Sequence, residues 1–269
     1  MNPIARFARR LFPALALGIV AASGAAAQSA PPLDIKVYNA DARSFHVNAV
    51  VVSGKTLKTI LISNADPDFY FGSEALKELF PQAKVVATPA VRDKIQAKLA
   101  GKLAFWGPKL GANAPRHPIV PDALAGTTLS VDGETVELRG TTGQLAHRPY
   151  VWIPAIRTVA GNIAVFGNLH VWTADTQKPT ERQAWLAQLD EIEALQPSTV
   201  VPGHMAPGSA LDIGAIRYTR DYLHRFDVEA AKAGNAAELI AAMQRAYPQA
   251  GLGIALDIGA KVNKGEMTW

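Results

Sequence analysis

Residues 59–72 read Thr59-Ile60-Leu61-Ile62-Ser63-Asn64-Ala65-Asp66-Pro67-Asp68-Phe69-Tyr70-Phe71-Gly72. The first five are a short run with a fully apolar centre, as a buried strand requires. The run then breaks into Asn64, Asp66 and Asp68 around Pro67, and a proline cannot continue a central strand. Ser73 is expected to cap a helix in which Glu74, Leu76, Leu79 and Phe80 recur at helical spacing, with Pro81 ending it. A polar turn between the carboxyl end of a strand and a helix is where α/β proteins place ligands. Asp66 and Asp68, two residues apart, could share a cation or flank a polar substrate, with Asn64 adding an amide. The competing reading is an Asx-type turn whose side chains only cap their own backbone.

Working outward, the same pattern repeats downstream: a strand at 84–88 and a helix from Pro89 to about Ala104. Strand, loop, helix, strand, helix indicates α/β layering. Upstream, 34–39 and 47–52 read as antiparallel strands. Residues 105–124, rich in glycine and proline and carrying Trp106, Lys109, Arg116 and His117, read as an irregular loop. Strands at 128–131 and 135–138 flank Asp132-Gly133-Glu134, a hairpin turn, and strands at 150–153 and 158–165 extend the meander. Helices follow at 179–195, 211–233, 236–247 and 253–262. A short strand at 198–201 leads into Pro202-Gly203-His204-Met205.

The N-terminus has its own character. Arg6, Arg9 and Arg10 precede an apolar run from Leu11 to Ala22 and then Ser23-Gly24-Ala25-Ala26-Ala27. A basic start, a short apolar centre and a small-residue end predict a cleavable signal over residues 1–27, a tether at 28–33 and a periplasmic or secreted domain at 34–269. The apolar run is shorter than the roughly 20 residues of a spanning helix, so no stable membrane anchor is expected. The chain carries 27 Lys+Arg against 23 Asp+Glu. Removing three arginines with the signal leaves 24 against 23, so the excess of positive charge is largely a targeting feature. No basic cluster remains to neutralise a phosphate backbone, which excludes nucleic acid as an expected partner.

With no cysteine in the chain, thiolate chemistry is excluded. No Gly-x-Ser-x-Gly elbow and no glycine-rich phosphate loop occurs. Candidates for chemistry therefore fall to carboxylates and histidines. His204 follows Pro202-Gly203 and is expected on a loop, while His170 (beside Trp172) and His147 could line a pocket or simply be structural.

These segments, in order, resemble the metallo-β-lactamase-fold hydrolases, particularly an exported branch. The resemblance rests on 47–52, 59–72, Tyr150-Val151-Trp152-Ile153-Pro154, Ala160-Gly161-Asn162 and Val200-Val201-Pro202-Gly203-His204. It implies a four-layered αββα sandwich with a site along one edge of the sheets. Only Ser53 to Lys58 separate the strands at 47–52 and 59–63, where the resembled proteins carry another strand and a helix, so one early strand–helix unit is expected to be missing.

The family's metal motif, His-x-His-x-Asp-His, aligns here with Asn64, Asp66, Asp68 and Phe69. The third histidine aligns loosely with Gln144, and Asn162 stands at the bridging aspartate. Only Asp68 and His204 match the family's ligands in type and place. Neutral amide oxygens are weak toward zinc and Phe69 offers no lone pair, so the resemblance implies an eroded site. Asp66, Asp68 and His204 form an oxygen-rich set that could hold one divalent ion, zinc no better than Mn²⁺, Mg²⁺ or Ca²⁺. Three readings follow: a weak or single-metal hydrolase of an ester, lactone or amide, with those three residues catalytic; a non-catalytic protein binding a small molecule; and a metal-free acid–base enzyme. Phe69, Trp106, His147, Trp152, His170 and Trp172 are the expected pocket walls.

Overall fold

The computed structural model describes residues 33–53 and 58–269. The signal at 1–27, the tether up to residue 32, and residues 54–57 of the shortened connection lie outside the described residues.

β1 (Asp34–Asn39) and β2 (Asn48–Ser53) form an antiparallel pair with Asp34 opposite Ser53. Next come β3 (Thr59–Leu61), α1 (Pro67–Tyr70), α2 (Ser73–Leu79), β4 (Lys84–Ala87), α3 (Pro89–Leu110) and β5 (Asp122–Ala123). The three strands pair in parallel in the order β3-β4-β5. Parallel neighbours need a crossover, which α1 with α2 supplies first and α3 second. Val91 and Ile95 of α3 are fully buried in one cluster with Ile60, Val85 and Ala87 of the strands.

β6 (Thr128–Val131), β7 (Glu134–Arg139), β8 (Tyr150–Ile153) and β9 (Thr158–Ala160) form the expected meander. Asp132 and Gly133 both take left-handed φ, 50° and 91°, as the tight β6–β7 hairpin requires. The chain continues through β10 (Phe166–Gly167), α4 (Pro179–Ala194), β11 (Thr199–Val200), β12 (His204–Met205), α5 (Gly214–Lys232), α6 (Ala236–Ala246) and α7 (Gly253–Asn263). β11 joins the meander in the order β11-β9-β8-β7-β6, and β12 pairs in parallel with β10.

β8 explains the packing. All four of its residues are buried, yet they belong to two different clusters. Tyr150 and Trp152 join Trp185 and Leu189 of α4 and Ile216 and Tyr222 of α5. Val151 and Ile153 join Val136, with Ile35, Val52 and Leu61 packed against them. A strand covered on both faces reads as an unbroken apolar run rather than an alternating one. Trp185 anchors the helical side: it is fully buried and its indole N–H donates to the Ala164 carbonyl at 2.8 Å.

Several expectations shift. Gly72, not Ser73, holds the N-cap position of α2; the Ser73 hydroxyl instead donates to the Tyr70 carbonyl at 2.6 Å. The strand expected over 158–165 stops at Ala160 because Gly161 turns at φ 52°. The stretch from Phe105 is helical to Leu110. Pro108 removes only one N–H in the final turn, and Phe105 and Trp106 are held by edge-on contacts with Trp269 at 5.3 and 6.5 Å. No helix among the described residues is long and apolar enough to cross a membrane.

Candidate functional site

The loop after β3 and the turn into β12 meet at one end of the sheets. In the first, the Asn64 side-chain oxygen accepts the Asp66 backbone N–H at 2.9 Å, so Asn64 makes an Asx turn. Asp66 occupies the N-cap of α1 but its carboxyl makes no capping bond. The local-capping reading therefore holds for Asn64 and fails for Asp66. In the second, Gly203 passes so close to residue 162 that an added Cβ would lie 2.1 Å from the Asn162 carbonyl oxygen. That approach lets the Gly203 N–H bond Val165 and its carbonyl accept from Asn48, both at 2.8 Å, which sets His204 beside β10.

The His204 ring is fixed on every side. Nδ1 lies 2.8 Å from the Phe45 carbonyl, an acceptor only, so Nδ1 carries the hydrogen. The Phe166 ring stacks on it at 5.2 Å, and Phe69 meets it edge-on at 5.8 Å. Nε2 points at Asp68 Oδ2, 3.3 Å away. A proton on either group would make this contact a hydrogen bond. Phe45 and His46 hold φ of 54° and 55°, a conformation costly for residues with a Cβ, and this turn is what presents the Phe45 carbonyl.

Burial, reinforced by Asp175 and opposed by Lys102, pushes the Asp66 carboxyl up to about 8. Burial also raises Asp68, with His204 the main opposing influence. At neutral pH Asp66 thus holds a proton, which removes the like-charge repulsion that two neighbouring carboxylates would otherwise suffer. Lys102 Nζ stands 4.0 Å from Asp66 Oδ1.

Two adjoining hollows open here. The smaller, about 130 Å³, lies over His204 and Asp68 between Phe45, Trp106, Trp172 and Trp269. The larger, about 490 Å³, is bordered by Asn64, His147, Arg148 and the α3 lysines, within the roughly 300–1,000 Å³ usual for small-molecule sites. Asp66, Lys102, Trp172 and Trp269 border both. Asp175 joins the two indoles: Trp172 Nε1 donates to one of its oxygens at 2.7 Å and Trp269 Nε1 to the other at 3.0 Å.

Of the residues singled out from the sequence, the structure brings together Asp66, Asp68, His204, Asn64, Phe69, Trp106, His147 and Trp172. His147 is kept neutral by burial and nearby Lys94 and Arg148, its imidazole drawn down to about 4. Trp152 lies in the core. His170 is buried against the Tyr222 hydroxyl, 3.0 Å away. Gln144 is exposed and borders neither hollow. Asn162 is engaged by backbone: its amide donates to Val201 and its oxygen accepts from Val165, each at 2.9 Å.

Sequence reading missed Phe45, Lys102, Arg148, Asp175 and Trp269. Arg148 directly follows His147 and Asp175 comes three residues after Trp172, so proximity was a faint signal for these two. Nothing local marks Phe45, Lys102 or Trp269, which only the tertiary structure brings to the site.

No protein-family model matches the chain, and no curated protein matches it by sequence. Solved structures do. A metallo-beta-lactamase family protein from Thermus thermophilus superposes with a TM-score of 0.56 at 15% identity, over 87% of this chain and 92% of that one. A beta-lactamase domain protein from Burkholderia ambifaria does so with a TM-score of 0.53 at 14% identity, over 86% and 80%. The chain has the metallo-β-lactamase fold.

Hydrolases of this fold depend on metal, and the residues present do not fit such a centre. Among the described residues, no three His, Cys, Asp or Glu side chains gather as a metal-holding group, whereas a zinc centre takes about three protein ligands at least. The oxygens of Asn64 and Asn162 are occupied by backbone N–H groups, and Phe69, which packs edge-on against His204, offers no lone pair.

Proposed function

We propose that this protein binds a small organic molecule in the hollow over His204, and that any hydrolysis it performs is weak and independent of a two-metal centre. One observation carries the reading. The side chain that would bring a metal to His204 is replaced by the Phe69 ring, His204 Nε2 is engaged with Asp68, and the space in front is walled by aromatic rings. Such walls bind flat apolar bodies by stacking and burial.

The same reading takes the architecture as four αββα layers, with β8 in one of two facing sheets and the early strand–helix unit dropped between Ser53 and Thr59. It also takes the protein as exported after cleavage behind Ala27, supported by the order of residue types in 1–27. N-terminal sequencing of periplasmic material should begin at Gln28; an intact Met1 in the membrane fraction would refute export.

The binding reading is tested with uncharged aromatic amides and lactones by calorimetry, together with a hydrolysis screen of β-lactams, lactones, thioesters and phosphoesters. Binding is expected to weaken at least tenfold in Trp106→Ala. Rapid turnover that a chelator abolishes and zinc restores would overturn the proposal. A second reading is favoured by the Asp68–His204 contact: the pair acts as acid and base on a bound ester or amide. Slow, chelator-insensitive hydrolysis lost in Asp68→Asn would select it.

A further inference from the structure

Two residues that border the larger hollow carry buried donors without a protein acceptor. Arg148 is 4% exposed and Asn64 2%, and both border this space. Arg148 Nη1 and Asn64 Nδ2 have no hydrogen-bond partner. The guanidinium is held firmly: its face lies 4.1 Å over the Trp185 ring and Nη2 donates to the Ile163 carbonyl at 3.4 Å. A donor left buried without an acceptor is destabilising, and folded proteins leave few such groups.

Asp66, Asp175 and Glu181 stand near enough to favour the Arg148 cation electrostatically, yet none of them accepts a hydrogen bond from Nη1. Asp175 accepts the indole N–H groups of Trp172 and Trp269, and Glu181 accepts the Lys178 backbone N–H at 3.0 Å. A second, separate feature has the same sign. Lys94, Lys98 and Lys102 stand four residues apart on α3, so one helix face borders the hollow with three ammonium groups.

We infer that this hollow seats the oxyanion head, carboxylate or phosphomonoester, of a ligand whose aromatic body lies in the smaller hollow over His204. Arg148 and Asn64 supply the donors, the α3 lysines draw the anion in, and the four residues that border both hollows place head and body side by side. The inference rests on the binding reading above for the body, and on the unpaired donors for the head.

Calorimetry with 2-naphthoate, 2-naphthyl phosphate, uncharged 2-naphthamide and acetate tests it. At least one naphthyl anion should bind ten times more tightly than the amide, and comparing the two identifies the head group. Arg148→Gln should erase that preference while leaving the amide unaffected. Because that buried change could unfold the chain, the surface pair Lys94→Glu with Lys98→Glu serves as the second variant and should also weaken only the anions, at least fivefold. Equal affinity for amide and anions overturns the oxyanion seat and leaves the aromatic site standing. Acetate binding without any naphthyl binding supports the seat and refutes the aromatic site. Binding of none of the four overturns both.

Discussion

Phe69 meets the imidazole of His204 edge-on, with ring centroids 5.8 Å apart and planes at 75°. This ring stands beside Asp68 and His204, where a third ligand would convert a two-residue contact into a metal-holding group. Protein dialysed against metal-free buffer should retain less than one zinc per chain by elemental analysis. Phe69→His should gain zinc binding and show a zinc-dependent rise in melting temperature, since an ion at a hundredfold excess over its Kd stabilises by about 2.7 kcal/mol. Wild type holding two zincs would show the ligand assignment to be wrong.

Asp66 makes stability depend on pH in a defined direction. The folded chain keeps the carboxyl proton to about pH 8, whereas the unfolded chain releases it near 3.8. Between those values the native state binds more protons, so stability falls as pH rises. Asp66→Asn lacks this loss. Its melting temperature relative to wild type should be higher at pH 8 than at pH 5; a pH-independent difference would contradict the raised Asp66 carboxyl.

His147 works in the opposite direction. Its imidazole titrates at about 4 in the fold against 6.5 unfolded, so the unfolded chain binds the extra proton between those values. Stability is lost as pH falls through that window, by less than about 1.4 kcal/mol per pH unit because the ring borders an open hollow. His147→Gln should flatten the acid limb of a melting-temperature profile from pH 7 to pH 4.5.

Gly203→Ala addresses how the site is assembled. A Cβ there would lie 2.1 Å from the Asn162 carbonyl oxygen, and backbone must shift to admit it. Overpacking of this kind costs about 1–3 kcal/mol. Urea denaturation should report a loss in that range, and any aromatic ligand should bind more weakly, because Gly203 sets the approach of His204. An unchanged midpoint would mean that the close passage of 162 and 203 is not a constraint.

Much of the fold was legible along the chain because its signals are local. The apolar centre of 59–63, the Asp132-Gly133 turn and the unbroken Tyr150-Val151-Trp152-Ile153 run each prescribe their own backbone or burial, and β3, the β6–β7 hairpin and β8 formed there. The end of α3 was not legible. Gly107 and Pro108 are helix breakers by local rule, and the helix that runs past them is packed by distant residues, with Trp269 against Phe105 and Trp106 and Phe45 against Trp106.

The candidate site divides the same way. Residue type alone made the match to the resembled family's motif partial, because Phe69 has no lone pair and Asn64 and Asn162 carry neutral amides where that motif has an imidazole and a carboxylate. Folding decided what took their place. The contact of Asp68 with His204, the raised Asp66 carboxyl, the Asp175 clasp on Trp172 and Trp269, and the burial of Arg148 against Trp185 all depend on residues from separate elements. Burial and charge act through space, so their effect on a side chain is set by neighbours that the order of residues does not name.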